Sequence, residues 1–267
     1  MSASLSPVLL GLYVAKTIAP IKVLPAVVTI FCALCLQVLS NLINDYCDFK
    51  KGNDGAERLG PPRAVSQGII SPKQLLTAIY IVAGLAGISG VYLCIIGGWP
   101  IIVIGVTALL FAWLYSATSY SLSHLGIADI FALSYYGFIA SMGTTWLQTH
   151  TWSGLSFWLG LACGAVAMAI LTANNIRDVR QDASAGKKTI IVRLGTTFGK
   201  AYYLTCIAVP PLVSLFVLHN ALMFSLMLIC FAVLGYKFLK AEGRSYNRIL
   251  MLTGFYDLFF VILTYLC

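Results

Sequence analysis

Two short stretches of this 267-residue chain set carboxylates and amides at helical spacing. Asn41, Asn44, Asp45 and Asp48 stand at i, i+3, i+4 and i+7, which places them on one face of a helix. Asn174, Asp178 and Asp182 repeat at i, i+4 and i+8. Of nine acidic residues, six fall in or just after these rows: Asp45, Asp48, Asp54, Glu57, Asp178 and Asp182. Like charges on one helix face repel, so each row asks for a cation to neutralise it. The donors are oxygens with no histidine among them, which suits Mg²⁺ better than zinc. Magnesium held by one or two carboxylates commonly completes its shell with substrate phosphates. Arg63, Lys73, Arg177, Arg180, Lys187 and Lys188 lie beside the acids and have the chemistry to grip phosphate oxygens. Acid rows flanked by bases describe a metal–diphosphate site.

The elements that carry these rows are apolar. The chain is 60% hydrophobic and only 10% charged, with mean hydropathy +0.90. A water-exposed surface uses roughly a quarter charged residues, so a cytosolic enzyme and a nucleic-acid-binding module are excluded, and no nucleic-acid partner is expected. Runs long enough to span a bilayer, about 20 residues, lie near 5–19, 23–43, 73–97, 100–116, 126–147, 153–173, 198–219, 221–241 and 249–267. The expected fold is all-α: a polytopic membrane protein of nine transmembrane helices around a central cavity capped by cytoplasmic loops. The 17 Lys and Arg residues, Lys16 and Lys22 apart, cluster in the connections after the second, sixth and eighth spans. These connections emerge on one side, and the excess of positive charge marks that side as cytoplasmic. The amino terminus and the acid rows are then cytoplasmic in an integral protein of the cell membrane, and lipid is its first partner. The net charge of +8 follows from the same rule. No cleavable leader is expected, because the amino terminus lacks a charged n-region. The eight cysteines lie mostly in apolar runs, where they read as small packing residues.

The segments near 44–72 and 174–197 resemble each other. Each follows a span ending in Asn and Asp, runs through basic residues and a glycine, and re-enters the membrane. Their separation of about half the chain suggests two related halves within one transmembrane domain, 1–267.

Asn44-Asp45-Tyr46-Cys47-Asp48 followed by Lys50-Lys51-Gly52-Asn53-Asp54 resembles the first aspartate-rich motif of the UbiA superfamily of intramembrane prenyltransferases. Asn174-Asn175-Ile176-Arg177-Asp178, with Asp182 and Gly186-Lys187, is similar to the second. Four stretches bring the chain nearest to the branch that prenylates 1,4-dihydroxy-2-naphthoate in menaquinone biosynthesis. They are Asp45 to Asp54; Arg58-Leu59-Gly60-Pro61-Pro62-Arg63-Ala64-Val65 with Gly68; Asn174 through Lys187-Lys188-Thr189 to Arg193-Leu194-Gly195; and Gly143-Thr144-Thr145-Trp146-Leu147-Gln148-Thr149. The chain departs from the family after Tyr115. There Ala117-Thr118-Ser119-Tyr120-Ser121-Leu122 and Gly126-Ile127-Ala128-Asp129 replace the usual Gly-Gly-Pro-x-Pro-Leu and Gly-Leu-Gly-Glu. Ser4-Leu5-Ser6-Pro7 resembles the middle of the family's usual opening, and the customary Arg-Pro-x-Thr-Leu upstream is missing, which fits the short first span.

The resemblance implies a polyprenyl diphosphate donor, an aromatic acceptor and Mg²⁺. It assigns catalysis and metal binding to Asp45, Asp48, Asp178 and Asp182, with Asp54 a further ligand brought back by the turn at Gly52. It assigns the diphosphate to Asn44, Arg63, Asn174, Arg177, Lys187 and Lys188. Tyr46, Tyr115, Tyr135 and Trp146 are candidates to face an allylic cation. His124 lies in the divergent loop, and Asp129 either meets the acceptor or caps the fifth span. Two alternatives stay open: another acceptor such as 4-hydroxybenzoate or homogentisate, and a cation-coupled transporter, whose acids would sit near the bilayer midplane.

Overall fold

Helices follow one another without a strand among the described residues, which in this computed structural model are 2–50, 59–61, 63–116, 128–184 and 186–267. In chain order they are α1 (Ser2–Ile18), α2 (Val23–Lys50), α3 (Pro72–Gly97), α4 (Trp99–Ser116) and α5 (Ala128–Leu133). A π-helical turn, Ser134–Phe138, leads into α6 (Ile139–Thr149). Then come α7 (Gly154–Arg177), α8 (Val179–Ser184), α9 (Ile190–Phe216), α10 (Ala221–Leu239), a 3₁₀ turn at Gly243–Ser245, and α11 (Tyr246–Leu266). Sequence chemistry sets several starts. Ser71 caps α3, accepting from Gln74 N while the Gln74 side chain accepts from Ser71 N, and Pro72 takes the first helical position. The side chains of Thr189 and Asn220 likewise accept from the first turns of α9 and α10.

Six helical stretches among the described residues are long and apolar enough to cross a membrane: α2, α3, α7, α9, α10 and Gly243–Leu266, which ends in α11. The expected count of nine is not reached on that measure. Helix α1 and the Trp99–Leu110 part of α4 are apolar but short. The fifth expected span is broken at Gly137 (φ −129°, ψ −117°) inside the π turn. The cause is tertiary. A Cβ on Gly160 would stand 2.6 Å from Phe138 Cα, and one on Gly137 would stand 2.9 Å from Gly164 Cα, so three glycines let two backbones cross in near contact. A similar approach seats α1 on α6, where Thr145 Oγ1 donates to the Gly11 carbonyl at 3.0 Å.

Helix α7 is the hub. Leu159, Ala162, Cys163, Val166, Ala169, Ala173 and Ile176 lie in the main core, shared with α1, α9, α10 and α11. Tyr203 of α9 stacks on Phe238 of α10 with centroids 3.6 Å apart, and its hydroxyl meets Thr253 Oγ1 of α11 at 2.6 Å, so the buried phenol keeps a partner. A smaller core of Cys32, Leu93, Ile101 and Leu147 joins α2, α3, α4 and α6. Outward on α3, Ile81, Ile88 and Ile95 repeat every seventh position and are exposed, the pattern of a face turned to lipid. The two helices that end in the acid rows share α1 and α6 as neighbours but differ in their main partners. Helix α2 leans on α3, α1 and α6, whereas α7 sits among α9, α11, α1 and the π turn.

Candidate functional site

The first acid row is helical throughout. Hydropathy places the end of the second span near residue 43, yet α2 continues to Lys50, so Asn41, Asn44, Asp45 and Asp48 share one continuous face. Three bonds from one guanidinium close over it. Arg63 Nη2 lies 2.7 Å from Asp48 Oδ2, Nη1 lies 3.2 Å from Asp45 Oδ1, and Nη1 donates to the Asn44 carbonyl at 2.8 Å. The Arg63 and Asp48 side chains are 14% and 23% exposed, so solvent screens that pair less than at an open surface, while Asp45 stays more open.

The second row is bent. Helix α7 stops at Arg177, and Asp178 (φ −97°, ψ 9°) caps it before α8 begins. The hydrogen-bond ladder nevertheless runs through the break, from Asp178 N to Asn174 O at 2.9 Å and from Asp182 N to Asp178 O at 2.8 Å, which keeps the three residues in register. Arg177 grips its neighbour as a fork: Nε donates to Asp178 Oδ1 at 2.8 Å and Nη2 to Oδ2 at 2.6 Å. Gly186 at φ +71° follows α8 in a left-handed turn, with Lys187 N bonded to Asp182 O at 2.9 Å. That reversal returns Lys187 Nζ to within 3.4 Å of Asp182 Oδ1.

The two rows come within electrostatic reach of each other. Burial pushes the Asp182 carboxyl above its ordinary value; Lys187 opposes the shift, and the negative charges of Asp178 and Asp48 add to it. The rows are also joined through a residue that sequence reasoning misses. Asn247, at the start of α11, accepts from Arg177 Nη1 at 2.6 Å and donates to the Leu59 carbonyl at 3.0 Å. No motif or acid neighbour marks it, since it stands in Ser245-Tyr246-Asn247-Arg248 within the third basic connection.

The other site residues fall as follows. Asn174 is half-buried, and Lys188 is exposed, as are Lys73 and Arg180. Asp54, His124 and the departures from Ala117 to Ile127 lie outside the described residues. Asp129 is buried in the first turn of α5, within hydrogen-bond reach of Tyr202 on α9. Trp146 sits at the opposite end of the bundle, its indole donating to the Gly97 carbonyl at 2.8 Å and stacking on Trp152, so it is remote from the acids. On the π turn, Tyr136 reaches Ser40 of α2, one turn before Asn44; the break at Gly137 aims it there, and no local sequence signal announces that break.

The oxygen-only donor set suits a hard divalent cation such as Mg²⁺. Among the described residues no three His, Cys, Asp or Glu side chains converge as a ready-made metal cage. The carboxylates are held by Arg63, Arg177 and Lys187 instead.

Apolar helices long enough to span a bilayer, with paired acids and bases gathered at one end, define a polytopic membrane protein with a polar site at its rim. The chain belongs to the UbiA prenyltransferase family, whose profile matches residues 4–260. It is similar to the 1,4-dihydroxy-2-naphthoate octaprenyltransferase of Escherichia coli (strain K12), with 33% identity over 210 residues, 74% of this chain and 67% of the relative. It is also similar to the enzyme of the same name from Bacillus subtilis (strain 168), with 29% identity over 195 residues, 73% of this chain and 63% of the relative. The matched segments span about two thirds of the length of these curated relatives. Among solved structures, the apo form of a UbiA homolog from Aeropyrum pernix K1 superposes with a TM-score of 0.69 at 15% identity, covering 98% of this chain and 96% of that one. A UbiA homolog from Archaeoglobus fulgidus bound to DMAPP and Mg²⁺ gives 0.64 at 15% identity, covering 99% and 94%. At such identity the likeness shows the fold.

Proposed function

We propose that this protein transfers a polyprenyl group from polyprenyl diphosphate to 1,4-dihydroxy-2-naphthoate, with loss of CO₂ and diphosphate, giving the hydroquinone demethylmenaquinol on the route to menaquinone. The observation that carries the reading is the pairing of two acid rows from opposite halves of the chain with Arg63, Arg177 and Lys187, the second row tied through Asn247 to the segment before Arg63 at one end of an apolar bundle. The names of the bacterial relatives support the acceptor, and the A. fulgidus homolog bound to DMAPP and Mg²⁺ supports the donor class and the ion.

The reaction must ionise an allylic C–O bond, with the electron pair leaving on diphosphate. Bound Mg²⁺ supplies positive charge for that leaving group, which grows more negative as the bond breaks. Asp45, Asp48, Asp178 and Asp182, with Asp54, are the residues to hold it, assisted by Asn44 and Asn174. With the ion in place, Arg63, Arg177, Lys187 and Lys188 would hold the phosphate oxygens, and Arg177 also steadies Asp178 from the side. Donors set in advance around a developing charge stabilise it without reorganisation. The apolar helices exclude water from the allylic cation and take up the isoprenoid tail, at about 0.8 kcal/mol per buried CH₂. The acceptor's carboxyl-bearing ring carbon then bonds to the cation, and CO₂ departs to restore the aromatic ring. The site faces the cytoplasm in this reading, because the basic connections share its side. Acids at helix ends, rather than at the midplane, speak against an ion-transport path.

The test gives purified protein in lipid nanodiscs one prenyl diphosphate and a panel of dihydroxynaphthoate, 4-hydroxybenzoate and homogentisate. The expected result is alkylation of dihydroxynaphthoate alone, with CO₂ lost, and none in excess chelator. Prenylation of another member of the panel overturns the acceptor, and full turnover in chelator overturns the magnesium assignment.

A further inference from the structure

One amide at the start of α11 ties the end of α7 to the loop segment that precedes Arg63. Asn247 of α11 accepts from Arg177 Nη1 at 2.6 Å, and Arg177 in turn holds both oxygens of Asp178 at 2.6 and 2.8 Å. The Asn247 Nδ2 donates to the Leu59 carbonyl at 3.0 Å, four residues before Arg63, the guanidinium that closes on Asp45 and Asp48 of α2. Polar contacts therefore tie Asp48 to Arg63, Leu59 to Asn247, and Asn247 through Arg177 to Asp178, with Leu59 and Arg63 four residues apart in the chain. Each link is short, and Arg177 is only 9% exposed, so water competes poorly for these bonds. A primary amide carries a donor and an acceptor on one rigid plane and so serves both partners at once.

We infer that Asn247 is a positioning residue for the diphosphate subsite. It sets the Arg177–Asp178 fork and holds the backbone at Leu59 so that Arg63 faces the same space. Asn247 reaches the chemistry only through Arg177 and the Leu59 carbonyl. Its contribution accordingly falls on the prenyl diphosphate and not on the aromatic acceptor. The inference rests on the proposed prenyl transfer for its kinetic consequence, but not for the tie itself.

Two substitutions separate the two bonds. Asn247→Ala removes both; Asn247→Asp keeps an oxygen for Arg177 and loses the donor to Leu59. For Ala, the KM for prenyl diphosphate is expected to rise about tenfold or more, the scale of a lost hydrogen bond to a charged group, with acceptor KM unchanged. For Asp, the rise is smaller than for Ala. Trypsin cleavage between Arg63 and Ala64, followed by mass spectrometry on the protein in nanodiscs, is expected to quicken in both variants. An Ala variant whose two KM values match the wild type, or rise together, overturns the positioning role. Cleavage at the wild-type rate in both variants overturns the tie. If wild-type protein prenylates nothing, the proposed function fails by itself, and the protease comparison still decides whether Asn247 joins the two segments.

Discussion

Replacing Asp48 by asparagine separates what the acid rows do for folding from what they do for chemistry. The substitution keeps the shape of the side chain and removes its charge. The carboxylate lies 2.7 Å from Arg63, with the two side chains 23% and 14% exposed. Arg63 keeps Asp45 at 3.2 Å and the Asn44 carbonyl at 2.8 Å, and the introduced amide can still accept a neutral hydrogen bond. The loss in stability is therefore about 1 kcal/mol, the difference between a charge-assisted and a neutral bond in a partly solvated pair. A typical fold has roughly 5–15 kcal/mol to lose, so the variant stays folded. The expected cost to catalysis is larger. Losing one carboxylate from a hard-cation site removes about 3–4 kcal/mol of the charge stabilisation a metal provides at the leaving group, and at about 1.4 kcal/mol per decade that is roughly a 10²–10³-fold fall in rate. The assay measures prenylated product by mass spectrometry across a Mg²⁺ series, alongside a thermal melt of the same preparation. A melt within a few degrees of wild type, with turnover nearly lost and a raised Mg²⁺ requirement, is the predicted result, and Asp182→Asn is expected to match it. Wild-type turnover at saturating Mg²⁺ would mean that the first row serves only to hold Arg63, and the reasoning from spacing to metal would be refuted.

Two further outcomes test the frame around the site. Gly160→Ala puts a Cβ 2.6 Å from Phe138 Cα, against backbone that cannot swing aside, and is expected to destabilise by about 1–3 kcal/mol, read as a lower melting temperature in detergent. Cys267 is exposed at the carboxyl end, on the face opposite the basic connections, so a membrane-impermeant maleimide added outside intact cells should label it; labelling only after the cells are broken would invert the assigned orientation.

The helices and their order were legible because bilayer hydropathy is a strong, local signal, and the rows were legible because helical spacing is. What escaped the sequence was set by contacts between distant segments. Hydropathy ended the second span near residue 43, but transfer to lipid and backbone hydrogen bonding are different quantities, and α2 keeps its ladder to Lys50. The Ser134–Phe138 stretch carries no breaker beyond one glycine; the π turn there sits at a close backbone crossing that Gly160 and Gly164 of another helix permit. The Asn174–Asp178–Asp182 row reads as one helix face, yet Asp178 ends α7 while the i to i+4 bonds persist across it.

The basic residues show the same limit most sharply, and they also weigh the plain reading of the loops against the chemical one. Six bases beside the acids look alike in sequence: Arg63, Lys73, Arg177, Arg180, Lys187 and Lys188. The positive-inside rule explains all of them equally and therefore discriminates among none. The fold divides them. Lys73, Arg180 and Lys188 are exposed, whereas Arg63, Arg177 and Lys187 are drawn onto Asp45, Asp48, Asp178 and Asp182. Topology alone would leave all six in water, where an ion pair is worth little. Bringing three of them onto buried or half-buried acids costs desolvation on both sides, a cost that orienting the chain does not require. The acid–base pairs are thus better explained by a site that must hold concentrated negative charge ready for exchange than by the need to keep the loops on one side of the membrane.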